Sequence, residues 1–252
     1  MDYFVSKDSI VRKIWGSGDT ILFIFAGASA EFALNKAVDW LYFTGKLPSD
    51  PLGRLFSTVS YAGQIVFSEQ DEALKSIDNI TAIHQGVEQS RGAQIPDWAY
   101  RDVLFMLIDY SIRSFEVLER KLTTEEKQEV FDVFNRMGQR MGINGLPHNF
   151  SEWLTMRDKG LEQDLLKSDF TVDLFKQYKK HLGWFRYQLL KQAQLLVLPD
   201  KVSSMLSLGT FSFLGPVLQG YKLAKVWKIE GGLRNAILPA QYQQQISNLD
   251  RY

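Results

Sequence analysis

The feature that most constrains the fold is the apolar run ILFIFAGASAEFAL at residues 21–34, which contains one charged residue, Glu31. A helix needs about 20 apolar residues to cross a bilayer, and this run has about 14. A segment that is apolar on every side must then be covered by protein all around. We therefore expect a helix buried at the centre of a globular core.

Most of the remaining chain has the periodicity of amphipathic helices, and alternating strand patterns are nearly absent. Asp50 followed by Pro51 predicts the start of a helix that runs to about Phe67. Ser68, with acidic residues close behind it, predicts a second capped start for a helix that ends before Gly92. Further helices are predicted at residues 98–121, 123–142, 151–159, 171–198 and 201–208, and from 216 to about 229.

No internal repeat, low-complexity linker or block of like charge divides the 252 residues. Hydrophobic residues make up 45% of the chain, which is enough to bury a large core. We predict one all-α domain over residues 1–252, with about eight to ten helices and a globin-like helix density. The predicted core spans residues 11–240, and residues 241–252 form a polar tail.

Composition and motifs exclude several kinds of chemistry. Lys plus Arg and Asp plus Glu both number 29, so no bulk charge attracts nucleic acid, and the absence of cysteine excludes thiolate ligands and cysteine nucleophiles. Glycine-rich phosphate loops are also absent. The residues three positions before the histidines are Thr81, Gly145 and Tyr178, so the chain lacks the Glu-x-x-His pairs of two-metal bundles. A cofactor that needs one protein ligand stays compatible, and haem is such a cofactor.

One histidine lies on an apolar helical face. His84 shares this face with Leu74, Ile77, Ile80 and Val87, at spacings of three and four residues. A histidine in such a place is more often an ordinary core residue with a hydrogen-bond partner than a ligand. Both interpretations are open on the spacing alone.

The two preceding helices offer further candidates. Arg54 and Thr58 stand at i and i+4 and therefore share a face, which Tyr61 continues. The first core helix carries small residues that permit close approach, namely Ala26, Gly27, Ala28, Ala30 and Ala33. A surface arginine with a packed stem and tight helix packing are the ordinary alternatives.

The stretch GRLFST (53–58) followed by ITAIHQGV (80–87) resembles a family of haem-dependent oxygenases. This family contains the rubber oxygenases (latex clearing proteins) and the endoplasmic-reticulum-bound oxygenase of mycophenolic acid synthesis. Supporting stretches include WGSGDTILFIFAGASAEFAL, IDYSIRSFEVLERKLTTEEKQE and LLVLPDKVSSMLSLG, so the resemblance covers roughly residues 11–240. Thr58 lies 26 residues before His84, and the order of the motifs is that of the family.

The resemblance implies a function and three site residues. It implies haem b with its iron ligated by His84, and Arg54 and Thr58 on the opposite, distal face. The implied activity is that of an oxygenase that uses dioxygen on an apolar lipid or isoprenoid substrate. Two other classes stay open: a non-catalytic haem- or lipid-binding helical protein, and a helical interaction module without a cofactor.

Three positions depart from the family pattern. Ser57 stands where the rubber-cleaving members have a lysine that caps the iron, and Leu104 stands where many bacterial members have a histidine. The carboxylate expected upstream of the arginine has no clear match, and Asp39 is the nearest candidate. These departures argue against rubber cleavage as such.

The stretch KQYKKHLGWFRYQLLK (176–191) interleaves five Lys and Arg residues with aromatic side chains. This pattern is typical of an amphipathic helix with a solvated basic face, and next of a peripheral membrane contact. Nucleic acid is the least favoured partner. The N-terminal residues lack the pattern of a signal peptide, so we expect a cytoplasmic location. A peripheral contact with a membrane through residues 176–191 is compatible with this location.

Overall fold

The structure, a computed structural model, describes residues 2–45, 49–216 and 218. Ten helices are defined in these residues: α1 Ile10–Trp15, α2 Gly18–Leu34, α3 Val38–Phe43, α4 Pro51–Phe67, α5 Gln70–Arg91, α6 Asp97–Leu118, α7 Thr124–Arg140, α8 Phe150–Gln163, α9 Asp169–Val197 and α10 Asp200–Leu206. Within the described ranges no strand forms, and extended pairing is limited to isolated bridges between Tyr3 and Glu69 and between Asn35 and Leu165. The prediction of an all-α fold is confirmed.

Helix α2 lies at the centre because other helices cover it on several sides. Helices α6 and α9 make its most extensive contacts. Ser17 caps its first turn by accepting a hydrogen bond from the Thr20 amide at 3.3 Å. The run 21–26 is buried throughout, as are Ala30 and Leu34, so the expectation of a central helix is confirmed. In the part of the chain that the structure describes, no helix has the length and apolar character to cross a bilayer.

The one charge of the apolar run, Glu31, is buried in an ion cluster. Arg157 of α8 donates two hydrogen bonds to the Glu31 carboxylate, each at 2.5 Å. The same guanidinium donates to Asp109 of α6 at 3.0 and 3.1 Å. The Tyr110 hydroxyl donates to the second Glu31 oxygen at 2.6 Å. These bonds join α2, α6 and α8, and they compensate charges that would be costly to bury alone.

Two predicted helix starts are confirmed and one is wrong. Asp50 caps α4, and Thr123 forms a capping box at the start of α7. Ser68 does not start a helix: it ends α4, and α5 follows Glu69 without a side-chain cap. The N-terminal segment replaces the cap, since the Gln70 amide donates to a carbonyl of that segment at 2.9 Å. Such a long-range bond leaves no local sequence signal.

Helix α9 contains a break that its helical periodicity does not predict. Gly183 has φ 74° and ψ 168°, so α9 is two helical segments joined at a kink. A positive φ of this kind is readily adopted only by glycine. Of the predicted last helix only residues 216 and 218 are described, and both are helical; its remainder, to about residue 229, and the predicted tail at 241–252 lie outside the described residues.

Candidate functional site

A cavity of about 760 Å³ lies among α2, α3, α4, α5, α6, α7 and α9. Its volume is within the usual range of small-molecule sites, roughly 300–1,000 Å³. The wall is mainly apolar and includes Phe25, Ala26 and Phe32 from α2, Ile80 and Val87 from α5, Val103 and Met106 from α6, and Leu182 and Leu190 from α9. Polar side chains on α4 and α5 face the same space: Arg54, Ser57, Thr58, Tyr61 and His84.

His84 lies on the α5 wall of the cavity. Its Nδ1 atom is buried, and no group of the described residues forms a hydrogen bond with it. The ring of Tyr100 stands edge-on to the imidazole, with centroids 5.2 Å apart. The pKa of His84 is lowered to about 4, mainly by burial and then by the charge of Arg54, while the charge of Glu88 opposes this shift. The imidazole is therefore neutral at neutral pH and retains a lone pair for a ligand.

Arg54 brings a positive charge to the same cavity from α4. Burial lowers its pKa, and the neighbouring Tyr61 opposes this effect. One guanidinium N–H donates to Ser57 Oγ at 3.2 Å. The hydroxyls of Ser57 and Thr58 both donate to the Arg54 carbonyl, at 2.8 and 3.2 Å. In this geometry Thr58 offers lone pairs to the cavity, and Arg54 offers N–H donors.

The small residues of α2 have different surroundings. Ala26 and Ala28 line the cavity, as a close approach by a ligand requires. Gly27 instead faces the Tyr110 ring, since a Cβ atom at this position would lie 2.2 Å from Tyr110 Cδ1. Ala30 is buried in helix packing. Part of the small-residue stripe therefore serves the fold and part serves the cavity.

The positions that depart from the family pattern are now defined in space. Asp39 of α3 forms an ion pair with Arg91 at 2.7 Å, and it is not part of the cavity wall. Among the described residues, Asp50 is the carboxylate that does line the cavity, and it accepts the Gly53 amide at 2.8 Å as the cap of α4. Leu104 is a buried part of the wall. No carboxylate of the described wall is thus unengaged.

A second, polar pocket of about 490 Å³ lies on another side of His84, and the sequence analysis does not predict it. Glu88 and Tyr100 line it, and the Tyr100 hydroxyl donates to Glu88 Oε1 at 3.2 Å. The Ile95 amide donates to the same oxygen at 2.9 Å. The one sequence signal is the i, i+4 spacing of Glu88 from His84, which places both on one face of α5.

The donor set excludes some centres within the part of the chain that the structure describes. No group of three or more His, Asp or Glu side chains is placed there to hold a metal ion directly. Metal-bound histidines usually donate their second ring N–H to a carbonyl or carboxylate, and among the described residues no such acceptor bonds His84 Nδ1. The arrangement suits a large apolar group that takes one imidazole from the protein.

Fold and cavity together define an all-α protein whose helices surround a sizeable apolar space beside one neutral imidazole and one half-buried guanidinium. The family model described as "ER-bound oxygenase mpaB/B'/Rubber oxygenase, catalytic domain" matches residues 14–220, and the chain belongs to this family. The match includes Arg54, Thr58 and His84, and the resemblance seen in the sequence is confirmed. Searches of curated proteins and of solved structures gave no match.

Proposed function

We propose that this chain is a b-type haem-dependent oxygenase that acts on an apolar lipid or isoprenoid molecule with dioxygen. The observation that carries the proposal is the placement of His84, the one histidine of the described cavity wall, beside a large apolar space. Membership of an oxygenase family supports the chemistry.

The residues of the cavity fit a haem. His84 would be the iron ligand, because it is a neutral imidazole on the wall of a space large enough for a flat apolar group. The haem would supply the activation of dioxygen. Arg54 would stabilise negative charge that develops on oxygen, since it is a half-buried cation on the cavity wall with further N–H donors. Thr58 would accept a hydrogen bond, and the apolar wall would exclude water and bind the substrate.

The remaining partners follow from this activity. A small apolar substrate and dioxygen are the expected reactants. A cytoplasmic location stays a prediction, and so does a peripheral contact of residues 176–191 with a membrane. Such a contact suits a substrate that is itself dissolved in lipid.

The absorption spectrum of the purified protein, supplied with haem during expression, tests the cofactor. We expect a Soret band that His84→Ala abolishes. His148→Ala is the matched control, because His148 is exposed and lies outside the cavity wall, so this variant should keep the band. A wild-type protein that takes up no haem, or a His84→Ala variant with an unchanged spectrum, would exclude His84 as the ligand.

Oxygen consumption with a polyunsaturated lipid tests the reaction separately. We expect Arg54→Ala to keep the Soret band and to slow oxygen consumption about 100-fold, the usual effect of removing one charge-stabilising donor. Rates should be measured at equal haem content, so that a difference in loading does not appear as a difference in chemistry. An Arg54→Ala protein as fast as the wild type would remove Arg54 from the reaction.

A non-catalytic haem- or lipid-binding protein is the second candidate, and the carboxylates favour it. Asp39 is paired with Arg91 away from the cavity wall, and Asp50 is engaged as a helix cap. Ser57 also replaces the lysine of the rubber-cleaving members. A protein with a Soret band that consumes no oxygen with any apolar substrate would support this candidate. A protein without haem would support the interaction module.

A further inference from the structure

The break in α9 places two large aromatic side chains side by side in solvent. Trp184 is 66% exposed and Phe185 is 62% exposed, directly after Gly183. In an unbroken amphipathic helix, large apolar residues turn toward the core. Leu182 and Leu189, on either side of this pair, are buried in that way. The break therefore separates Trp184 and Phe185 from the core-facing stripe.

A nearby loop extends this exposed aromatic surface. Phe211 is 73% exposed and Phe213 is 49% exposed. The loop is held against α9, because the Phe213 amide donates to Gln192 Oε1 at 2.9 Å and Ser212 Oγ donates to the Gln192 carbonyl at 3.0 Å. Gln192 follows Phe185 by two helical turns on the same face. We call Trp184, Phe185, Phe211 and Phe213 the aromatic patch.

The charged residues that flank Trp184 and Phe185 along α9 have one sign. Between Asp173 and Asp200 the sequence contains no acidic residue. Lys176, Lys179 and Lys180 are exposed on the half of α9 before the break. Arg186 and Lys191 follow on the half after it. The chain as a whole has no net charge, so this basic surround is a local concentration and not a property of the composition.

We propose that the aromatic patch and its basic surround dock on an anionic bilayer surface. Aromatic side chains favour the interface between headgroups and acyl chains, and lysines near the surface add an electrostatic attraction to anionic lipids. The opposite face of α9 contributes Tyr178, Leu182 and Leu190 to the cavity wall. Docking would thus bring the cavity close to the lipid phase, from which an apolar substrate could enter it. This role in substrate supply rests on the proposed function, whereas the docking itself does not.

Sedimentation of the full chain with lipid vesicles tests the docking. We expect binding to phosphatidylcholine vesicles that contain phosphatidylglycerol, weaker binding to phosphatidylcholine alone, and a loss of binding at high salt. The double variant Trp184→Ser, Phe185→Ser should bind at least about tenfold more weakly, because two large apolar side chains would no longer enter the interface. The double variant Leu154→Ser, Leu166→Ser is the control: these residues are 45% and 54% exposed on other elements, so binding should not change.

Quenching of tryptophan fluorescence by brominated lipids gives a second readout. The wild type should show a quenched component that Trp184→Phe removes, while the other five tryptophans leave a constant background. Circular dichroism checks that each variant is folded. A wild type that ignores anionic vesicles, or an aromatic variant that binds as the wild type does, would overturn the proposal. Two further results would overturn it. One is a dimer that the same aromatic variant dissociates, because a second copy would then cover the patch. The other is vesicle binding that is seen only after residues 219–252 are removed, because these residues would then cover it.

The vesicle experiment does not depend on the cofactor. Protein that binds vesicles but shows no Soret band would refute the haem proposal and leave the docking intact. Protein with a Soret band that fails to bind vesicles would refute the docking alone.

Discussion

Gly27 illustrates how a single position decides what may approach a helix. The sequence marks it as one of several small residues of α2 that leave room for a ligand, yet the Tyr110 ring fills this room. The difference could not be predicted from the sequence, because Tyr110 is on α6 and its place depends on a hydrogen bond to the buried Glu31. Ala26, one residue earlier, does line the cavity.

Substitution of Gly27 by alanine should destabilise the fold. The new Cβ atom would lie 2.2 Å from Tyr110 Cδ1, so α2 or the ring must move and the bond from Tyr110 to Glu31 would be strained. We expect a loss of about 2 kcal/mol in the free energy of unfolding, measured in urea. Gly86→Ala is the control: nothing lies within 4 Å of its Cβ position, and it should stabilise α5 by about 0.5–1 kcal/mol. Equal stabilities of the two variants would contradict this account.

At the scale of helices, signals between neighbouring residues predict some helix starts, but they do not predict contacts between distant segments. Asp50 and Thr123 mark helix starts correctly, because a cap and its helix are neighbours in sequence. Ser68 misleads, because the first turn of α5 is satisfied by the distant N-terminal segment. Likewise, Glu31 and Arg157 form an ion pair although they are 126 positions apart in sequence, and no local pattern predicts this pairing.

Removal of Arg157 should weaken the contacts among α2, α6 and α8, because its ion pairs join these three helices. Arg157→Met keeps much of the apolar stem but leaves Glu31 and Asp109 buried without a cation, so we expect a loss of about 3–5 kcal/mol in the free energy of unfolding. Arg140→Met is the matched control: its ion pair with Asp78 is exposed to solvent, so its loss should change the free energy of unfolding much less. Urea unfolding of both variants measures the difference, and similar small losses would show that the buried cluster is dispensable.

At the scale of the whole molecule, the sequence identified which residues face one cavity but not the cavity itself. Arg54, Thr58 and His84 could be grouped because helical spacing and the order of the family motifs are visible in one chain. The volume of the cavity depends on how seven helices pack, and the polar pocket beside Glu88 depends on the loop after α5, whose Ile95 amide bonds Glu88. These features arise mainly from tertiary packing, and the i, i+4 spacing of His84 and Glu88 is the one local signal of the pocket.

The stability of the whole molecule should fall with rising pH through one buried carboxyl group. Asp102 accepts a hydrogen bond from Asn35 at 2.7 Å, but burial dominates and raises its pKa to about 6 from 3.8. The folded state therefore favours the protonated form: the contribution is fully present below about pH 4 and is lost as the pH rises through about 6. At 1.36 kcal/mol per pH unit this amounts to at most about 3 kcal/mol.

Urea unfolding of the wild type and of Asp102→Asn across this pH range isolates the effect. The variant lacks the titrating group, so its stability relative to the wild type should increase between about pH 4 and pH 7. The comparison cancels the other groups that titrate in the same range. A difference that is constant with pH would show that Asp102 titrates alike in the folded and unfolded chain.

His84 lines both the apolar cavity and the polar pocket, as do Tyr100 and Met141. The imidazole is thus part of the wall between the apolar cavity and the polar pocket. Truncation of His84 would join the two pockets, so water from the pocket beside Glu88 would enter the apolar cavity. A loss of the proposed activity in such a variant would therefore have two causes: the loss of the proposed iron ligand and the entry of water into the cavity.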